Sequence, residues 1–93
     1  LDLTPLLERY GNDLNGFKKV AEHLEGQPMD MADAAYRLLP FPRVPVCYLL
    51  WEGDEEFQPK LSVLFDRSIE RYFSASAIWS LVNLVSRELL KGL

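Results

Sequence analysis

The run Val44 to Trp51 leaves the backbone little choice. Its positions are apolar apart from one tyrosine hydroxyl, and it follows prolines at 40 and 42 and carries a third at 45. Each proline pushes the residue before it toward extended geometry and excludes a helix interior. The segment therefore reads as a strand, with Val46, Tyr48 and Leu50 on one face and Cys47, Leu49 and Trp51 on the other. Both faces are apolar, so both call for cover. Pro45 fits at a strand's beginning or on a sheet edge. A second strand is expected from Leu61 to Phe65, with Leu61, Val63 and Phe65 sharing a face. Glu52 to Pro59 is then the loop of an antiparallel hairpin.

Helices are expected on either side. Thr4-Pro5 has the form of a helix start, Thr as cap and Pro in the first turn. Leu3, Leu6, Leu7 and Tyr10 recur at helical spacing, and Gly11 is expected to end this helix in a left-handed conformation. From about Asp13 to Glu25, Phe17, Val20, Ala21 and Leu24 form an apolar stripe that Gly26 closes, and a connection of two or three residues makes the two helices an antiparallel or angled pair. Gln27-Pro28 breaks the second helix. Asp33 to Leu39 suits a strand ending at Pro40, although its two alanines and leucine pair would also suit a helix. Asp66 can cap a turn through Ser68-Ile69-Glu70, and Ser74 or Ser76 starts a long helix over Ala75 to Lys91. Ile78, Leu81, Val82, Val85 and Leu89 fill one arc of that helix, and Trp79, Leu84 and Leu90 widen its buried face. The expectation is an α+β domain: an N-terminal helix pair, a small antiparallel meander of two or three strands, and a long amphipathic helix packed on the sheet.

Composition narrows the functional classes. Ninety-three residues with 48% hydrophobic and 26% charged side chains make one small folded domain. No run approaches the ~20 apolar residues of a membrane span, and a pI near 4.9 without a basic cluster argues against nucleic acid. A single cysteine, Cys47, inside an apolar run suits a reducing, cytoplasmic setting. The start at Leu1 rather than Met suggests an excised piece of a longer protein.

Residues Trp51-Glu52-Gly53-Asp54-Glu55-Glu56-Phe57 stand out, because the net charge of −4 equals the charge of this one segment. Together with Pro42-Arg43-Val44-Pro45, Leu64-Phe65-Asp66, the Tyr72-Phe73 pair and the final helix, it resembles the C-terminal half of an uncharacterised domain family of anaerobic bacteria and archaea. Members of that family are sometimes joined to an iron–sulphur-binding module, and no activity is assigned to it. The resemblance runs from about Leu6 to Leu90. It implies a parent domain about twice this length, and by association an accessory role. Cluster binding does not carry over, since the required cysteines are missing.

The candidate ligand or partner loop comprises Trp51, Glu52, Asp54, Glu55 and Glu56, with Asp66 nearby. Alternating Glu52, Asp54 and Glu56 resemble the first ligands of a calcium loop, but Phe57 and Val63 stand where that loop needs glycine and glutamate. Paired-carboxylate catalysis needs two contrasting environments, which an open loop does not supply. A solvated charged loop is the simplest reading. Trp51 and Phe57 are expected to pack together at its base, with Lys60 and Arg43 close by. His23 and Cys47 are single copies of their kind, and each reads as structural rather than as a ligand or nucleophile. Asp66 with Arg67 and Arg71 reads as a cap beside solvated arginines more readily than as an anion site. The function expected is therefore a non-enzymatic docking or accessory module. It would bind a missing N-terminal half, another protein or a second copy, with no cofactor. The alternative is a metal-dependent or acid/base site on residues 52–56, using a divalent cation.

Overall fold

A computed structural model describes residues 3–41, 44–65 and 73–92. Helix α1 spans Thr4–Tyr10 and α2 spans Leu14–His23; strands follow at Gln27–Pro28 (β1), Ala34–Phe41 (β2), Val44–Trp51 (β3) and Lys60–Phe65 (β4), and α3 runs over Ala75–Lys91. The strands form one antiparallel sheet in the order β1-β2-β3-β4. The α+β architecture is as expected, with four strands where two or three were foreseen.

Register assigns the faces. Tyr48 stands between Tyr36 on β2 and Val63 on β4, and Leu50 between Ala34 and Leu61. Leu38, Val46, Tyr48 and Leu50 belong to the buried core, together with Leu6, Tyr10, Phe17, Val20, Val82 and Leu89 from the three helices. This cluster gathers on one sheet face, while Ala35 and Leu49, paired on the other face, are buried as well. The other face carries Arg37, Cys47, Leu49, Trp51, Ser62 and Leu64 by strand alternation.

Tyrosine hydroxyls tie the helices to the sheet and to each other. Tyr48 donates to the Val82 carbonyl at 3.1 Å and shares a 2.9 Å hydrogen bond with Ser86, both on α3. Burial pushes the Tyr48 hydroxyl up to about 12 from its ordinary 10.0, against the opposing effect of the Ser86 bond. Tyr10 donates to the Leu89 carbonyl at 2.5 Å, locking α1 to the end of α3. Phe17 packs edge-on against both Tyr10 and Tyr36.

Helix termini depart from the simplest sequence rules. Thr4 is already helical, and Leu3 occupies the cap position. Gly11 is right-handed, at φ −58, because its amide still bonds the Leu7 carbonyl. At the end of α2 the left-handed residue is Glu25, φ 64, rather than Gly26. The Gly26 amide bonds the Ala21 carbonyl and the Glu25 amide bonds the Glu22 carbonyl, a Schellman closure. Glycine is needed one place later, where a Cβ would lie 2.7 Å from a Leu38 methyl and 2.8 Å from the Ala21 carbonyl oxygen. Ser74 does cap α3, accepting from the Ala77 amide at 3.2 Å.

In β2, Pro40 falls within the register shift between Leu38 and Phe41, where a missing amide is tolerated. Gln27-Pro28 ends α2 as expected but also makes the short edge strand β1. The cap at Asp66, the turn over 68–70 and the Arg67/Arg71 pair lie outside the described residues.

Candidate functional site

The acidic loop is built on a stapled base. The Gly53 amide donates to the Gly11 carbonyl at 3.1 Å, fastening the β3–β4 loop to the turn between α1 and α2. That approach requires glycine: a Cβ at Gly53 would lie 2.6 Å from Pro59 Cδ and 2.9 Å from its backbone nitrogen. A Cβ at Gly11 would collide with the same proline, at 2.6 Å. Asp54 turns back into its own loop, where Oδ1 accepts the amides of Glu56 and Phe57 at 2.8 and 2.7 Å. Asp33, which the sequence pattern did not single out, accepts the Glu52 amide at 2.8 Å. Two carboxylates thus hold backbone, while the side chains of Glu52, Glu55 and Glu56 stay exposed.

The expected pairing of Trp51 with Phe57 gives way to another arrangement. Trp51 is half-buried with the Lys60 ammonium 5.2 Å from its ring centre, directly across the hairpin. Phe57 remains 69% exposed. The structure therefore brings together Trp51, Glu52, Asp54, Glu55 and Glu56, adds Asp33, and does not describe Asp66. Among the described residues, no three His, Cys, Asp or Glu side chains converge in a way that could hold a metal ion. His23 is exposed at the end of α2. The Cys47 thiol is pushed up by burial, against the opposing influence of the Arg37 guanidinium, which lies across the strand pair. Fewer thiolates at neutral pH make it a poorer nucleophile.

A second region emerges at the other end of the sheet. The helix wheel places Trp79 and Leu84 on the buried side of α3, yet they are 42% and 49% exposed, and Ser86 is buried instead. Ser86 turns inward because the Tyr48 hydroxyl gives it a partner. Leu84 stands as a ridge between two grooves. One, of about 270 Å3, is lined by Leu24, Leu38, Leu39, Leu84, Val85 and Glu88. The other, of about 340 Å3, is lined by Val44, Phe73, Ala77, Ile78, Ser80, Leu81 and Leu84. Trp79 lies edge-on over Phe65 on the opposite flank. The cause is a mismatch of lengths. Ten residues of α2 extend about 15 Å, whereas eight residues of β2 extend about 26 Å, so α2 cannot cover the whole strand.

No charged residue occurs from Phe73 to Ser86, although Ala75, Ser76, Ala77, Trp79, Ser80, Asn83 and Leu84 of that stretch are all exposed. That long uncharged run is the one signal in the sequence that could have marked this surface. Solvated helix faces ordinarily carry charge.

No described helix is long and apolar enough to cross a membrane. No curated protein and no solved structure matches the chain. The family described as Domain of unknown function (DUF3786) matches residues 3–88, and the chain belongs to that family.

Proposed function

We propose that this member of the DUF3786 family is a docking module that binds protein through the apolar flank of α3. The observation that carries the reading is the uncharged exposed stretch of α3, with Leu84 raised between two apolar grooves. Neighbouring Leu39 and Phe73, 51% and 41% exposed, extend the patch. Contiguous apolar surface of this kind on a small soluble domain marks interaction sites. A cytoplasmic setting belongs to the same proposal, since Cys47 is half-buried without a disulfide.

Acid/base or divalent-cation chemistry at residues 52–56 has less support. Asp54 Oδ1 and Asp33 Oδ2 accept loop amides, and the free glutamates face water without contrasting surroundings.

A photo-crosslinking side chain placed at Ser80, and separately at Glu55, tests the docking reading in cells. A discrete crosslinked product is expected from position 80 and is lost with Leu84→Asp. A product from position 55 alone would contradict the proposal.

A further inference from the structure

We propose that the occupant of this flank is a second copy of the same chain, packed α3 against α3 in antiparallel fashion about a two-fold axis near Ser80 and Leu81. The inference rests on the docking reading above and names its partner. Three observations favour a second copy.

The first is self-complementary shape. A two-fold interface brings each surface element against its symmetry mate, so a chain that pairs with itself must carry knob and hole at matching distances from the axis. With the axis midway between residues 80 and 81, Leu84 of one copy falls opposite Ala77 of the other. Ala77 lines the 340 Å3 groove, together with Val44, Phe73, Ile78 and Leu81. Exposed Leu84 is the knob, and the groove beside Ala77 is the hole. Small side chains at 77 and 80 let the two helix backbones approach closely, and the ridge-and-groove packing of helices does the rest.

The second is charge placement. Carboxylates 52, 54, 55 and 56 account for the whole net charge of −4. They lie beyond Trp51, whereas the grooves lie beside Val44, at the other end of the same strand. Eight residues of β3 separate the two ends by about 26 Å. Pairing through the uncharged end of a molecule 42 Å long keeps two like-charged loops apart. A basic partner would be drawn to the acidic end instead.

The third is the lack of any charge to desolvate. From Phe73 to Ser86 nothing ionisable enters the contact, so self-pairing incurs no penalty for burying an uncompensated charge. Arg87, the next residue, is exposed and falls opposite Ser74 at the rim of the pairing, and Glu88 and Lys91 beyond it already form a pair at 3.0 Å.

Sedimentation equilibrium of the full chain across a concentration series provides the test, with the fold of each variant checked by circular dichroism. Wild type is expected to show a monomer–dimer equilibrium in the micromolar range. Leu84→Asp places an unpaired carboxylate in the partner's groove and should weaken dimerisation by at least about thirtyfold. Ala77→Arg, at an exposed position of the groove wall, fills the groove by a different route and should do the same. In a Cys47→Ser background, Ser80→Cys should be joined to its mate by a short bismaleimide, and Glu55→Cys should not. A chain that stays monomeric up to its solubility limit overturns the second-copy inference. So does a dimer that ignores both substitutions or crosslinks through position 55. The two readings fail separately. A monomer that still gives a discrete heterologous product from position 80 leaves docking intact, whereas no product of any kind from position 80 removes docking itself.

Discussion

The two ends of the sheet are finished in opposite ways. At the end bearing Trp51 and Lys60, the loop is fastened to the α1–α2 turn through Gly53 and Gly11, and its aspartates are folded into backbone bonds. Every formal charge in excess sits there, facing water. At the end bearing Val44 and Phe65, Val44 and Ile78 form a small buried cluster of their own, with Phe65 and Leu81 packed against it. Around it, Leu39, Phe73, Trp79 and Leu84 remain exposed, and α3 carries no charge before Arg87. The lesson concerns where order and where contact are built. The conspicuous charged heptad is self-contained structure, while the inconspicuous serine- and alanine-rich helix leaves surface unfinished.

The largest effect should separate the two cores. Phe17→Ala, at the closed end, is expected to cost about 3–5 kcal/mol, since the ring is buried against Tyr10 and Tyr36. Ile78→Ala, at the open end, is expected near the lower limit for its class, about 2 kcal/mol. Chemical denaturation of both variants measures the contrast, and equal losses would break it.

Next comes the bond between sheet and α3 that spans the two ends. The folded Tyr48 hydroxyl ionises near 12, above its unfolded value of 10.0, so the folded state holds its proton where the unfolded state has released it. Its contribution is therefore complete below about pH 10 and lost as pH rises toward 12, amounting to about 2–3 kcal/mol. Tyr48→Phe should remove that alkaline slope, at a cost near neutral pH of about 1–2 kcal/mol for the lost bonds to the Val82 carbonyl and the Ser86 hydroxyl. Thermal melts of both proteins against pH provide the readout.

Gly53→Ala drives a methyl into Pro59 and should cost about 1–3 kcal/mol, loosening the acidic loop without touching α3. Backbone amide exchange at Glu52 to Phe57 would speed up, with α3 unchanged. The smallest effect on stability is expected at the open end, where Leu84→Asp, measured at concentrations below the dimerisation range, should shift unfolding by no more than about 0.5 kcal/mol. A large destabilisation there would mean that Leu84 serves the fold rather than contact.

Much of this architecture was legible in the residues. Strands β3 and β4 and the limits of their loop follow from period-two alternation and from prolines at 40, 42 and 45, which are local signals. What escaped depends on partners distant in the chain. A two-residue strand such as β1 has no period to read. Gly26 marks the close of α2 in the sequence, but its lack of a side chain is required by Leu38 and the Ala21 carbonyl, and Glu25 takes the left-handed conformation. Asp33 reaches the acidic loop only because β2 lies beside β3. Trp79 and Leu84 were assigned to the core because a helix wheel shows the apolar arc of a helix, not how much surface lies beneath to receive it.

The central claim is that contact belongs to the uncharged flank of α3 and not to the acidic loop. Methyl and amide resonances of the full chain, followed by NMR as concentration rises, test it most directly. The account predicts that the methyl signals of Leu84, Ala77 and Leu39 move together and saturate, while the amides of Glu55 and Glu56 stay fixed. Stationary methyls with moving acidic-loop amides would contradict it.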